Sequence, residues 1–244
     1  MKLARMPDGS PEIFYTLQGE GRNTGRPSVF IRSSLCNLHC RWCDTDYTWN
    51  WEDTDFVHES GRKYRREEQI IDFSMDEIIA AVNPFPCSNF VLTGGEPLLQ
   101  EKAWVELMGA LTGHFEVETN GTLMPSEPFL ARIDRINVSP KLENSGIKVS
   151  LRSKPEVLTG MVATGKADFK FVVGNEGDFA EIQTLCETAG IPGDRTFLMP
   201  KANSVAELEG VDVRRAVAGG IGWNSIGIRG IRGVCRCHES AADE

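Results

Sequence analysis

The stretch PSVFIRSSLCNLHCRWCDT (27–45) joins a short apolar, β-branched run to a polar loop that holds three cysteines. The run PSVFIR (27–32) predicts a buried strand, because a parallel strand is covered on both faces and carries few polar residues. Cys36, Cys40 and Cys43 follow this strand closely. Three thiols in one loop after a predicted strand are the feature from which we interpret the rest of the chain.

Five further runs are nearly continuous in apolar or β-branched residues and predict strands: FVLTG (90–94), FEVET (115–119), RINVS (135–139), FKFVV (169–173) and TFLM (196–199). Helical patterns lie between them at SMDEIIAAV (74–82), with Ser74 as cap, at EKAWVELMGALTG (101–113), ended by Gly113, and at DFAEIQTLCETAG (178–190), with Asp178 as cap and Gly190 as stop. Alternating strands and helices predict an α/β fold with parallel strands, either a barrel, open or closed, or a doubly wound sheet.

Polar motifs follow four of these strands. The cysteines follow the first, and GGEP (94–97), TNG (119–121) and SPK (139–141) follow the next three. In barrels of this kind the loops after the strand carboxyl ends form the active site. We therefore expect the four motifs to face one mouth.

Composition limits the classes of function. The chain has 244 residues, 41% of them hydrophobic, a net charge of -9 and a pI near 5.1. An acidic chain of this kind is not expected to bind free nucleic acid by bulk electrostatics. We expect no membrane span and no signal peptide, and therefore a cytoplasmic protein.

In a reducing compartment, closely spaced cysteines bind metal or carry out redox chemistry more often than they form disulfides. A structural zinc site needs a fourth ligand, for which His39, Asp44 or a distant cysteine are candidates. An iron-sulfur cluster held by three cysteines leaves one iron without a protein ligand. Such an iron can bind a substrate or a cofactor.

CxxxCxxC at 36–43 together with GGEP at 94–97 resembles the radical S-adenosylmethionine superfamily. This resemblance implies a partial, open β/α barrel with parallel strands and a [4Fe-4S] cluster on Cys36, Cys40 and Cys43. It also implies S-adenosylmethionine on the open iron, cleaved to a 5′-deoxyadenosyl radical. The residues assigned to cofactor binding on this basis are Gly94, Gly95, Glu96, Asn120, Ser139 and Lys141.

Each of these assignments has an expected physical role. The two glycines are expected to let the backbone approach the cofactor closely. Glu96, or a neighbouring carbonyl, is expected to accept from the cofactor's α-amino group, and Lys141 to pair with its carboxylate.

A narrower resemblance covers about the first 60% of the chain. The blocks that carry it are FYTLQGEG (14–21), GRPSVFIR (25–32), CDT (43–45), TGGEPLLQ (93–100), VETNGT (117–122) and NVSPK (137–141). They resemble the 7-carboxy-7-deazaguanine synthase family. The resemblance implies radical ring contraction of 6-carboxy-5,6,7,8-tetrahydropterin with loss of ammonia, in the biosynthesis of queuosine and related 7-deazapurines.

The same resemblance implies substrate and partner contacts. Gln18, Glu20 and Glu118 are expected to read the heterocycle, and Arg32 to pair with the substrate carboxylate. Thr45 matches the family's Mg²⁺ position, and Mg²⁺ prefers hard oxygen ligands. The family also implies a flavodoxin- or ferredoxin-type reductant and a homodimer. The base for the final deprotonation is not assigned.

We predict one core domain over 1–234, with a charged insertion at about 49–73, and a polar tail over 235–244. For the insertion we favour a solvated loop over a cover for the site or a docking surface for a reductase. The chain keeps RGV at 232–234 but lacks the family's histidine before it, so substrate contacts from this end are in doubt. We assign no chemistry to CRCH (235–238), which contains Cys235, Cys237 and His238.

Two other functions stay open. One is an activase that makes a glycyl radical on another protein, against which LQGEG, Arg32 and Thr45 argue. The other is a zinc-stabilised binding module without catalysis, which predicts zinc and no sulfide.

Overall fold

The computed structural model describes residues 1–202 and 224–225. Ten strands among these residues form one sheet: β1 (Lys2–Ala4), β2 (Ile13–Leu17), β3 (Pro27–Ser33), β4 (Ile70–Asp72), β5 (Asn89–Gly94), β6 (His114–Thr119), β7 (Arg135–Val138), β8 (Ala167–Val173), β9 (Thr196–Pro200) and β10 (Asn224–Ser225). Their order is β10-β9-β8-β7-β6-β5-β3-β1-β4, and β2 pairs with β3 beside this path.

The parallel part of the sheet runs from β3 through β5, β6, β7, β8 and β9 to β10. It contains all six strands predicted from sequence, with ends that differ by at most two residues. Within the described residues β4 and β10 end the path without pairing to each other. The fold is therefore an open β/α barrel, which decides between the architectures that the β and α pattern left open.

Three antiparallel strands were not predicted. β1 pairs with β3 and β4, and β2 pairs with β3. β1 and β4 have three residues each, too few to show an alternation of polar and apolar positions. β4 lies within the predicted solvated insertion, so that prediction is wrong for its last part.

In the described part of the chain seven α-helices connect the strands: α1 (Arg66–Gln69), α2 (Met75–Val82), α3 (Glu101–Ala110), α4 (Glu127–Leu130), α5 (Val149–Arg152), α6 (Pro155–Ala163) and α7 (Asp178–Ala189). The cap predicted at Ser74 is confirmed, because its side chain accepts from Glu77 N and the Glu77 carboxylate accepts from Ser74 N in a capping box. The stop predicted at Gly190 is also confirmed, with a left-handed φ of 67°.

Two helix ends differ from the prediction. α3 ends at Ala110, before Gly113, whose missing Cβ would lie 2.2 Å from Ser88 O. Gly113 thus permits close backbone packing and does not cap the helix. The cap of α7 is Gly177, whereas Asp178 is the first helical residue and accepts from Gly174 N at 2.7 Å.

The two faces of the sheet have different chemistry. Along β6, Phe115 and Val117 join the apolar core, while Glu116 and Glu118 alternate with them and point to the opposite face. β8 repeats the pattern, with Phe169, Phe171 and Val173 in the core and Asp168 and Lys170 between them. Helices cover the apolar face, and the polar face lines the interior of the open barrel.

No described helix, in 1–202 or 224–225, is long and apolar enough to cross a membrane. RGV at 232–234 and the tail with Cys235, Cys237 and His238 lie outside the described residues. The division into a core over 1–234 and a tail over 235–244 therefore stays a prediction.

Candidate active site

The carboxyl ends of the parallel strands surround a cavity of about 630 Å³. Of the site residues predicted from sequence, those that line it are Gln18, Glu20, Arg32, Cys36, Cys40, Cys43, Thr45, Gly94, Gly95, Glu118, Asn120, Ser139 and Lys141. Glu96 is the one that does not. The structure thus brings together residues that come from many separate segments of the chain, and their individual roles stay predictions.

The cysteine loop, residues 34–48, leaves β3 and is held at both ends by backbone hydrogen bonds. Ser34 N donates to Lys2 O, and Leu35 N donates to Thr48 O, both at 3.0 Å. Leu35 has a φ of 78°, in the left-handed region that residues other than glycine seldom adopt. The protein's own hydrogen bonds therefore set the path of the loop.

The glycines of GGEP have a structural reason in addition to the expected one, which stays a prediction. A Cβ on Gly94 would lie 2.0 Å from Ser33 O, and a Cβ on Gly95 would lie 2.2 Å from Leu35 O. Gly94 also has a φ of 137°. The end of β3 packs directly against Gly94, and the start of the cysteine loop packs directly against Gly95, so neither position has room for a side chain. Their proximity to the cavity follows from that packing.

The three thiols are held in surroundings that favour the neutral form. Burial raises the pKa of Cys40 to about 11 against the opposing charge of Lys141. Burial likewise raises the pKa of Cys36 and of Cys43 above the ordinary range. Iron binding displaces thiol protons, so three thiols beside an open cavity, one buried and two half-buried, are donors that fit an iron-sulfur cluster.

Glu96 does not lie in the position expected for a cofactor contact. Its side chain is fully buried and accepts from Leu98 N at 3.0 Å, from Asn120 N at 2.8 Å and from the Thr119 hydroxyl at 2.9 Å. The carboxylate caps the turn after β5 and fastens it to the end of β6. The structure therefore corrects the prediction for the Glu96 side chain, which positions two strand ends and does not line the cavity, while the contact through a neighbouring carbonyl stays a prediction.

Asn120, Ser139 and Lys141 occupy the ends of β6 and β7. The Asn120 amide donates to Asn37 Oδ1 at 2.7 Å, which ties the end of β6 to the cysteine loop. Lys141 Nζ donates to the Ser139 hydroxyl at 3.1 Å and lies 5.6 Å from the centre of the Trp42 ring. No carboxylate pairs with Lys141 in the described contacts, so its ammonium group can receive an anionic ligand.

A second set of side chains in the cavity, Glu20, Glu118 and Lys170, forms an acid-lysine cluster. Lys170 Nζ donates to Glu20 Oε2 at 2.6 Å. Burial and the charge of Glu20 raise the pKa of Glu118 to about 7, with Lys170 opposing them. Glu118 accepts from the Thr93 hydroxyl at 2.7 Å and from Gln18 Nε2 at 3.3 Å.

Arg32 lies in the cavity wall with a partner already in place. Its Nε donates to Glu12 Oε1 at 2.6 Å, and the guanidinium lies 5.9 Å from the centre of the Phe14 ring. Burial opposes the charged form, but Glu12 holds the pKa of Arg32 above its ordinary value. The ion pair uses Nε, so the two terminal nitrogens are outside it. Arg32 is therefore a paired cation of the cavity wall and not a surface cation.

Thr45 follows the last cysteine, and its hydroxyl lies 3.5 Å from Cys43 Sγ. Within 1–202 and 224–225, no three His, Cys, Asp or Glu side chains converge on one position suited to a single metal ion. His39, considered as a fourth zinc ligand, stacks on Phe56 with ring centres 3.4 Å apart. Its ring is thus held by aromatic packing.

Sequence reasoning missed Lys170 and Glu12. Lys170 is the one charged residue in the predicted strand FKFVV (169–173), and a charge in a buried strand is costly unless it is paired. A lysine in this strand therefore indicates a nearby acidic partner, and this pattern could have identified Lys170 from the sequence. Glu12 precedes β2, in a segment without a recognisable motif, and only the pairing of β2 with β3 brings it to Arg32.

Comparison with known proteins assigns the family. The model of the radical SAM superfamily matches residues 30–203. The 7-carboxy-7-deazaguanine synthase of Pyrobaculum aerophilum is 38% identical over 217 residues, which cover 86% of this chain and 87% of that protein. The enzyme of the same name from Halobacterium salinarum is 36% identical over 222 residues, with 81% and 79% covered.

A solved structure agrees in fold. The crystal structure of QueE from Escherichia coli superposes with a TM-score of 0.62 over 92% of both chains, at 23% sequence identity. That likeness supports the open, mostly parallel sheet. The matches in sequence carry the assignment further, because they extend over most of the chain at more than a third identity. The chain belongs to the radical SAM superfamily and, within it, to the 7-carboxy-7-deazaguanine synthase family.

Proposed function

We propose that the chain converts 6-carboxy-5,6,7,8-tetrahydropterin to 7-carboxy-7-deazaguanine with release of ammonia, in queuosine and 7-deazapurine biosynthesis. The observation that carries the proposal is one cavity that holds both the three thiols and the acid-lysine cluster. The three thiols are the ligands that a radical enzyme of this family needs for its cluster. The acid-lysine cluster offers charged and hydrogen-bonding groups suited to a pterin that carries N-H groups and a carboxylate.

Membership of the radical SAM superfamily implies a [4Fe-4S] cluster and S-adenosylmethionine. When bound, the cluster and the cofactor would supply the radical chemistry that abstracts hydrogen from the pterin. Cys36, Cys40 and Cys43 would hold the cluster, and Lys141 and Ser139 would hold the cofactor at the ends of neighbouring strands.

The chain's residues bind and orient the substrate. Glu118 and Gln18 already contact each other at 3.3 Å, which places an acceptor and an amide side by side for the pyrimidinone edge. The terminal nitrogens of Arg32 are available for the substrate carboxylate in paired hydrogen bonds. Because Glu118 has a pKa of about 7, it can accept or donate a hydrogen bond near neutral pH.

Mg²⁺ belongs to this proposal through Thr45, which lines the cavity next to the cysteines. Its hydroxyl oxygen and the substrate carboxylate are hard ligands of the kind that Mg²⁺ prefers. In the proposal a flavodoxin- or ferredoxin-type protein supplies the electron, and the enzyme acts as a homodimer in the cytoplasm.

Reconstitution under anaerobic conditions tests the function. The protein is loaded with iron and sulfide, reduced, and mixed with S-adenosylmethionine, Mg²⁺ and the carboxy-tetrahydropterin, and the product is identified by absorbance and mass. We expect 7-carboxy-7-deazaguanine only when cluster, cofactor and substrate are all present, and more of it with Mg²⁺ than without.

Omission controls separate the parts of the proposal. Formation of 5′-deoxyadenosine without a deazaguanine would retain the superfamily chemistry and reject the substrate. If the amount of product stays the same when Mg²⁺ is chelated, only the proposed Mg²⁺ site at Thr45 is rejected, and the rest of the proposal stands.

A further inference from the structure

Residues 49–64, here called the clasp segment, contact the cysteine loop through a few of their side chains, while most of the segment is exposed. Trp49, Asn50 and Trp51 are buried. The Phe56 ring stacks on His39 inside the cysteine loop, with ring centres 3.4 Å apart. The prediction of a solvated insertion is therefore wrong for residues 49–51, while most of the residues from 52 to 63 are exposed.

His58 connects the clasp segment to the last cysteine. Its side chain is 9% exposed, and Nε2 lies 2.9 Å from Cys43 O. A carbonyl can only accept, so Nε2 carries the proton and donates. Nδ1 then accepts from Ser60 N at 3.2 Å and lies 2.7 Å from the Ser60 hydroxyl, and Asp46 Oδ2 lies 3.2 Å from it.

The carboxylate beside His58 is itself fixed. Asp46 is 5% exposed and accepts from the Tyr64 hydroxyl at 3.0 Å. Tyr64 closes the clasp segment, because its backbone N donates to Asn50 O at 3.0 Å. His58 is thus supported from the cysteine loop on one side and from the end of the clasp segment on the other.

Glu59 adds a second connection, between the cysteine loop and the far side of the barrel. Its backbone N donates to Arg41 O at 2.7 Å. Its carboxylate accepts from Lys201 Nζ at 3.0 Å and lies 3.5 Å from Arg41 Nε. Lys201 follows β9 and lines the cavity. Glu59 therefore joins the segment between Cys40 and Cys43 to a strand end distant in the sheet order.

We propose that the clasp segment positions the cluster ligands, with His58 and Glu59 as positioning residues that fix the backbone over Arg41–Cys43. The inference rests on the proposed function only through the family's cluster and does not depend on the substrate. A loop that is already fixed before iron arrives loses less conformational freedom on loading and opens less often afterwards. The clasp segment thus acts on how the three thiols are presented and retained.

The first test uses the full-length protein without metal and measures the alkylation rate of each cysteine by mass spectrometry. We expect His58→Leu to make Cys43 react about tenfold faster, as loss of one buried hydrogen bond predicts, and His58→Gln to restore the slow rate, because the Gln amide can donate to the same carbonyl. Cys87, which donates to Pro27 O far from the loop, is the internal reference. Equal acceleration at Cys87 would show general unfolding and would overturn the local assignment.

The second test compares Glu59→Gln with Glu52→Gln, an exposed residue of the same segment. After anaerobic loading, iron and sulfide per chain and the rate of bleaching in air are measured. We expect about threefold faster bleaching for Glu59→Gln and no change for Glu52→Gln, since only Glu59 joins Arg41 to Lys201.

The outcomes separate the two proposals. If thiol protection and cluster retention depend on His58 and Glu59 while no deazaguanine forms, this inference stands and the proposed function fails. If His58→Leu and Glu59→Gln match the unsubstituted protein in both readouts, the clasp segment has no positioning role, whatever the product.

Discussion

The cysteine loop and the acid-lysine cluster line the same cavity but are held in different ways. In the cysteine loop the backbone is fixed, by bonds such as Leu35 N to Thr48 O, and the thiols face the cavity. In the acid-lysine cluster the side chains hold one another, as in the 2.6 Å contact of Lys170 with Glu20. One region presents free donors on a rigid support, and the other presents charges that already neutralise each other.

This difference implies different responses to substitution. Removing a thiol should remove a ligand without harming the fold, because the thiol contributes little to the loop's own hydrogen bonds. Removing a charge from the acid-lysine cluster leaves another charge buried without its partner, so stability and binding should fall together. The following predictions test this contrast in decreasing order of expected effect.

Cys40→Ser should leave a chain that folds but retains about a tenth or less of the iron and sulfide of the unsubstituted protein, because a hydroxyl is a poor substitute for thiolate. Iron, sulfide and circular dichroism measure this outcome. Cys186→Ser is the matched control, since Cys186 is buried in the apolar core away from the cavity. Equal cluster content in the two variants would contradict the assignment of the thiols.

Gly95→Ala should destabilise the fold by about 3 kcal/mol or more and displace the cysteine loop, since the new Cβ would lie 2.2 Å from Leu35 O. Gly165→Ala is the control: that glycine has a left-handed φ of 71° but nothing within 4 Å of the added Cβ. It should cost only about 1 kcal/mol. Chemical denaturation measures the unfolding free energy of both variants. If the two variants lose the same amount, close packing is not the reason for the glycines of GGEP.

Lys170→Met should cost about 2 kcal/mol in unfolding free energy and weaken substrate binding, because it leaves the half-buried carboxylates of Glu20 and Glu118 beside each other without a cation. The double variant Lys170→Met with Glu20→Gln should recover much of the stability. Urea denaturation measures both. If the two substitutions simply add, the residues do not act as a pair.

Glu118 should make stability depend on pH. Its pKa in the folded protein, about 7, is above the ordinary value for glutamate, so its contribution is fully present below about pH 4.3 and is lost as the pH rises through 7. Relative to Glu118→Gln, the unsubstituted protein should therefore lose unfolding free energy between pH 5 and 7.5. Urea denaturation at these two values tests the prediction, and a constant difference between the proteins would reject it.

Much of the parallel sheet could be predicted because its signals are local. FVLTG and FEVET are apolar runs bounded by polar motifs, and the observed strands Asn89–Gly94 and His114–Thr119 match them closely. The capping box at Ser74 is equally local, since it joins residues three apart. The three-residue strands β1 and β4 were missed because they are too short to show an alternation of polar and apolar residues. Residues that pair between these two strands are also distant in sequence.

The candidate site divides along the same line. The sequence by itself determined which thiols and which strand ends would meet, because parallel strands bring their carboxyl ends to one edge. Only the tertiary structure decided which side chains already have partners within the protein and which can still bind a ligand. The Glu96 carboxylate is used by backbone groups at the ends of β5 and β6, and Lys170 is paired with Glu20. His58, in the clasp segment, donates to the carbonyl of Cys43. These are long-range contacts between residues far apart in the chain, and no local pattern of residue types encodes them.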